Sequence, residues 1–180
     1  MNSTRVTLYV LVVLLFCFFG MSVSAQPKTA SPYNAFETAE GLVNDIYKSV
    51  SFDSTGPRPD WEKVRSMFIE DAVVVLRVTR DSSAIFSVQG FINDFVNFIE
   101  RSPAKQRGFW EKVVRIKPMV FGDIAHVLVL YEAHIPGTPR PPQKGVDSFQ
   151  LIKRGGRWWI VSVANEIPTR ERPIPAELQD

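Results

Sequence analysis

The chain has 180 residues, of which 45% are hydrophobic and 12% aromatic, with one cysteine, 13 prolines and a formal net charge of +2. That length fits one domain with short extensions, and so small a charge excludes a strongly basic nucleic-acid binder, which needs a clustered cationic surface. Leu8 to Phe19 is an unbroken run of twelve apolar residues, shorter than the ~20 that cross a bilayer. With Arg5 ahead of it and Val23-Ser24-Ala25 behind, the run reads as a secretory signal cut after Ala25. The competing reading is an uncleaved anchor. Cleavage leaves an exported chain, periplasmic or secreted, of charge +1 and without stable membrane insertion. It also removes Cys17, so no disulfide or thiolate chemistry is available to the mature part.

After a polar lead-in over 26–32, Ser31-Pro32 gives helix-start chemistry, and Phe36, Ala39, Val43, Ile46, Tyr47 and Val50 recur at helical spacing. Gly56, Pro57 and Pro59 break that helix, and Asp60 can cap a short second one carrying Trp61, Val64, Met67 and Phe68. Ala72 to Thr79 is a strand by its Val73-Val74-Val75 run, and Ile85 to Val88 a shorter one. Gln89 to Arg101 shows a broad apolar helix face. Four strands follow, over 109–118, 124–135, 146–153 and 157–166, with Gly122-Asp123 and Gly155-Gly156 as tight turns. A proline-rich loop spans 136–144, and the tail over 168–180 is expected to be irregular. Helices first and consecutive antiparallel strands afterwards indicate an α+β fold in which one sheet curls around about three helices.

The order of these elements, and five local signals, resemble the nuclear-transport-factor-two-like superfamily, specifically its SnoaL-like branch. The signals are Met67 to Val73 at the step into the first strand, Val88-Gln89-Gly90 before the third helix, Gly122 to Ala125, Gly156 to Ile160, and the long first helix itself. The resemblance covers about residues 33 to 167. It implies a cone-shaped domain of the cystatin-like type, a curved antiparallel sheet closing on its helices around an apolar pocket that holds a few polar groups. It implies no particular reaction, because the fold hosts isomerases, cyclases and dehydratases as well as non-catalytic dimerisation modules. No catalytic residue carries over by motif.

Strand parity nominates a site, since alternate residues share a face. A two-residue turn at Gly155-Gly156 pairs Ile152 with Trp159, Gln150 with Val161, Ser148 with Val163 and Val146 with Asn165. With Leu128, Leu130, Glu132 and His134 this makes a face graded from apolar to polar, and it is the expected pocket wall. Tyr47 and Trp61 are placed at the pocket from the helices, though each also fits a core stripe. The opposite face carries Val127, Val129, Tyr131, Phe149, Leu151, Trp158 and Ile160, with Asp147 and Glu166 toward its polar end; a one-residue slip would exchange the two faces. Three helices cover one face, so the other is expected to meet a second copy in a homodimer.

Glu132 and His134 lie one pleat repeat apart, about 6.6 Å along the strand, and are the candidate acid-base pair; the competing reading is a solvated strand end. His126 is expected to be a hydrogen-bonded structural residue. No metal or other cofactor is expected, two histidines being too few for a metal site. Two functions stay open: an exported binding or accessory module with a small apolar ligand, and an enzyme doing acid-base chemistry on an apolar, carbonyl-bearing substrate.

Overall fold

The computed structural model describes residues 34–179, so the expected signal and its cleavage point lie outside the described residues. Asn34–Glu37 forms one 3-10 turn, and helix α1 (Ala39–Val50) begins where the Thr38 hydroxyl accepts a hydrogen bond from the Gly41 N–H at 2.9 Å. Leu42, Val43, Ile46, Tyr47 and Val50 are buried along one stripe of it, as the spacing requires. Strand β1 (Phe52–Asp53) is short, and Asp60 caps α2 (Trp61–Arg65) by accepting from two backbone amides. Strands β2 (Phe68–Arg77) and β3 (Ser83–Ser87) form a hairpin. Ser87 then caps α3 (Val88–Arg101), and a single turn, α4 (Ala104–Arg107), leads into the meander. That meander is β4 (Gly108–Phe121), β5 (Ile124–His134), β6 (Gln143–Arg154) and β7 (Arg157–Glu166).

Together the strands make one seven-stranded sheet in the order β1-β4-β5-β6-β7-β2-β3. All neighbours are antiparallel except β2 and β7, which run parallel. The sheet is therefore mixed rather than wholly antiparallel, because the hairpin of β2 and β3 joins the last strand of the meander from outside it. Helices α1 and α3 pack on one face, called inner here. There Val127, Val129, Phe149, Leu151 and Ile160 meet Phe36, Leu42 and Val43 in the main core.

Within the meander, two β-bulges decide which side chains reach that face. Gln150 pairs with Ser162 while Leu151 pairs with Ile160, which leaves Val161 as the extra residue; Val114 plays the same part in β4. Beyond Val161 the parity of β7 reverses. Ser148 thus pairs with Ala164, Asp147 with Asn165 and Val146 with Glu166, one residue away from the register expected for an uninterrupted hairpin. The inner face carries Trp158 and Ile160 before the bulge and Val163 and Asn165 after it.

The outer face is partly covered by the chain itself. In the tail, Ala176–Leu178 forms a 3-10 turn whose Leu178 is 1% exposed and packs with Leu130 and Val146, while Ile174 and Leu128 border them. An irregular tail was the expectation; its ordered end does part of the covering that sheet amphipathicity demands.

Candidate functional site

A cleft of about 260 Å³ opens on the inner face between α1, α3, β2 and the meander. At roughly 30 Å³ per water molecule it has room for about nine waters or one small ring compound. Its walls are mainly apolar: Ile46 and Val50 from α1, Phe68, Val74 and Leu76 from β2, Phe91 and Phe95 from α3, and Phe149 and Val163 from the sheet. Set into them are Tyr47, Glu111, Tyr131, Asp147 and Asn165, with Arg77 and Gln143 also on the lining. An apolar cavity with a few convergent polar groups is the usual build of a ligand site.

Asp147 is the hub. Tyr47 donates its hydroxyl hydrogen to Asp147 Oδ2 at 2.6 Å, and Asn165 donates through Nδ2 to Asp147 Oδ1 at 2.7 Å. The second hydrogen of Asn165 Nδ2 goes to the Tyr131 hydroxyl oxygen at 3.0 Å. Tyr131 therefore accepts from Asn165 and keeps its own hydrogen to donate. Packing holds both phenol rings: the Tyr47 centroid lies 5.7 Å from that of Tyr131 and 6.2 Å from that of Phe149. Gly145, directly opposite Tyr131 in the ladder, is required at its position because a Cβ there would lie 2.3 Å from the Tyr131 ring.

Glu111 reaches the same cleft from β4. Ser51, just past the end of α1, accepts from the Glu111 N–H at 2.9 Å and donates to the Tyr47 carbonyl at 2.7 Å, tying the helix end to the strand. Asp147 and Glu111 are half-buried as whole residues, yet protein atoms surround both carboxyl groups. Loss of hydration is the main cause that raises Asp147 from 3.8 to about 6, against the lowering effect of its bonds from Tyr47 and Asn165. For Glu111 loss of hydration comes first and the Asp147 charge second, and together they raise it from 4.5 to about 8. Burial and the neighbouring carboxylate likewise push both tyrosines above their ordinary value, so their hydroxyls stay protonated. The two carboxyl groups are thus raised to different degrees, Glu111 more than Asp147, which is how an environment sets an acid apart from a base.

Of the residues nominated for the pocket, the structure brings Tyr47, from the first helix, and Asn165, from strand parity, to this cleft. Leu128, Leu130, Gln150, Trp159 and Val161 do not line it. The first four point to the outer face and Val161 is the bulge residue, because the cone closes over the other side of the sheet and the bulge carries Asn165 across. Trp61 lies 5.5 Å from Phe95 between the main core and a second cluster of Phe52, Ile99, Ala104 and Phe109, not at the cleft. Glu132 stands on the outer face with Lys144 at 3.8 Å, and His134 lies against Trp110 with ring centroids 5.4 Å apart. His126 makes the expected structural bond, Nε2 to Ser148 Oγ at 3.0 Å. Asp147 and Glu166 do not pair with each other. Glu166 takes a charge-assisted fork from Arg77 and a further bond from Arg172, on the other side of β7 from Asn165.

Asp147 and Glu111 escaped nomination although each carries a signal. Each is an acid with a large apolar residue two places away in its strand, Phe149 for Asp147 and both Phe109 and Val113 for Glu111. A carboxylate at an inward position of an apolar strand is costly unless it has partners.

No protein-family model and no curated protein matches the chain. Solved structures do. An uncharacterised Caulobacter vibrioides protein with a cystatin-like fold superposes with a TM-score of 0.56 at 15% identity, over 73% of this chain and 88% of that one. A Novosphingobium aromaticivorans protein provisionally assigned as a scytalone dehydratase gives 0.54 at 17%, over 72% and 81%. A Shewanella frigidimarina protein provisionally assigned as a ketosteroid isomerase gives 0.51 at 16%, over 71% and 93%. At these identities the likeness is one of architecture: the chain has a cystatin-like fold of the kind seen in nuclear-transport-factor-two-like proteins.

Proposed function

We propose that the inner cleft binds a small, largely apolar, carbonyl-bearing molecule and moves a proton on it, as an isomerase or dehydratase does. The observation that carries this reading is the convergence, in one apolar cleft, of two carboxyl groups, Asp147 and Glu111, with the hydroxyls of Tyr47 and Tyr131 and the amide of Asn165, where loss of hydration raises both carboxyl groups. Asp147, held by Tyr47 and Asn165, keeps a free lone pair on each oxygen and serves as the base. Glu111 serves as the acid, and the Tyr131 hydroxyl supplies a hydrogen bond to the oxygen on which charge develops. The names given to two of the structural neighbours, a dehydratase and an isomerase, belong to the same class of chemistry.

A second reading rests on the cleft's volume, which lies just under the ~300 to 1,000 Å³ usual for ligand sites. On that reading the domain is an exported binding or accessory module that holds its ligand unchanged. One experiment separates the two, with a small cyclic enone as probe. Deuterium exchange α to the carbonyl is followed in heavy water with wild type, Asp147→Asn and Glu111→Gln, alongside equilibrium binding of the same probe. Exchange that exceeds the buffer rate and falls on Asp147→Asn supports the enzyme. Saturable binding without exchange leaves the module, and exchange indifferent to Asp147 removes the assignment of the base.

A further inference from the structure

The end of the sheet remote from the cleft has an unlike surface. Phe121 pairs with Ile124, Ile124 with Ile152 and Ile152 with Trp159, an unbroken apolar row across the outer side of β4, β5, β6 and β7. Phe121 is 82% exposed and Met119, Val120 and Ile124 are each more than half exposed, although side chains of this kind are normally withdrawn from water. The two hairpin ends lie side by side, since the Lys153 N–H donates to the Asp123 carbonyl at 2.8 Å.

Charge at this end is one-sided. Within the two hairpin ends, from Val114 to Val127 and from Gln150 to Trp159, the only acid is Asp123, against Arg115, Lys117, Lys153, Arg154 and Arg157. Lys117, Lys153 and Arg154 are exposed, and the last two lie over the rings of Trp158 and Trp159. A second copy docked here would set cations against cations, whereas an anionic layer would neutralise them. The aliphatic share of the patch suits acyl chains better than nucleic-acid phosphates. Phe36 also lies at this end, its ring 4.3 Å from the Arg157 guanidinium carbon.

We propose that the adjoining β4–β5 and β6–β7 hairpin ends are a peripheral docking surface for an anionic lipid bilayer. Phe121, Met119 and Ile124 enter the headgroup layer while Lys117, Lys153 and Arg154 face its phosphates. The cleft, at the opposite end of the same strands, then faces away from the lipid.

The test uses the full chain with Cys17→Ser and a single label site, Asp123→Cys, carrying an environment-sensitive fluorophore. A control is labelled instead at Ser54→Cys, an exposed position in the loop that follows β1. Vesicles are phosphatidylglycerol mixed with phosphatidylcholine, or phosphatidylcholine alone. The label at 123 should shift to the blue on the anionic vesicles, less at high salt, while the label at 54 does not. The pairs Phe121→Ser with Met119→Ser, and Lys153→Glu with Arg154→Glu, should each weaken the response roughly tenfold or more. These side chains are exposed, so unchanged thermal melting should certify the variants. The proposal is overturned by no shift at 123, by equal shifts at both labels, by indifference to lipid charge, or by a shift that grows with protein concentration without vesicles, which would mean a second copy covers the patch.

Discussion

The two faces of the meander each carry a carboxylate close to a second polar side chain, and only one of them makes a site. On the outer face Glu132 and His134 are half-buried side chains at the sheet surface, with Lys144 and Trp110 as neighbours. On the inner face Asp147 and Asn165 face each other across paired strands under two helices, and the same kind of side chain loses its hydration and gains Tyr47 as a donor. Spacing along a strand puts polar groups within reach of one another; cover sets their chemistry.

The widest difference between the faces should appear in activity. Asp147→Asn is expected to lower the rate of probe exchange ~100-fold or more, with far-UV circular dichroism unchanged. Glu132→Gln and His134→Ala should leave it within about twofold, and the ranking is reversed only if the outer pair is the site.

Covering the outer face should matter for stability instead. Leu178 is fully buried there by the tail, so Leu178→Ala is expected to cost about 2 to 5 kcal/mol in urea unfolding without altering the pKa values of the cleft. A loss under about 0.5 kcal/mol would mean that the tail is not docked in solution.

Inside the cleft, Gly145→Ala tests the seat of Tyr131. The added methyl must displace a ring 2.3 Å away, and overpacking of that kind costs roughly 1 to 3 kcal/mol. Exchange activity should fall with it, because the Tyr131 donor moves.

A further expected effect is on how stability varies with pH. Both cleft carboxyls have folded values above their ordinary ones, so the protonated forms favour folding. Their contribution is complete below about pH 4 and is lost as pH rises through about 6 for Asp147 and about 8 for Glu111. Urea unfolding from pH 4 to 9 should show that decline, and Glu111→Gln should remove its upper part, leaving the variant more stable than wild type above pH 8. An unchanged slope in the variant would contradict the burial of Glu111.

Much of the fold was legible in the sequence, because it is written in local signals: Asp60 as a cap, Gly155-Gly156 as a turn, and the apolar stripes of α1 and α3. The site was half legible. Parity had grouped Asp147 with Tyr131 and Phe149, and the first helix had offered Tyr47 to the pocket. What parity lacks is any mark of a bulge: Val161 is a β-branched residue in a β-branched strand, and nothing in its neighbours announces that the ladder skips it. That single residue carries Asn165 to the inner face and Glu166 to the outer. Which face the helices cover was equally unmarked, since both are apolar, and the tail that shields Leu130 and Val146 has too little periodicity to betray its docking.

The most direct test follows the carboxyl carbons of Asp147 and Glu111 by NMR across pH 3 to 10, with assignments from Asp147→Asn and Glu111→Gln. Midpoints near 6 for Asp147 and near 8 for Glu111 are predicted, with Glu111 falling once the Asp147 charge is removed. Midpoints for both near the ordinary 3.8 and 4.5 would mean that the cleft is wet and its carboxyl groups uncoupled, and would contradict the acid-base account.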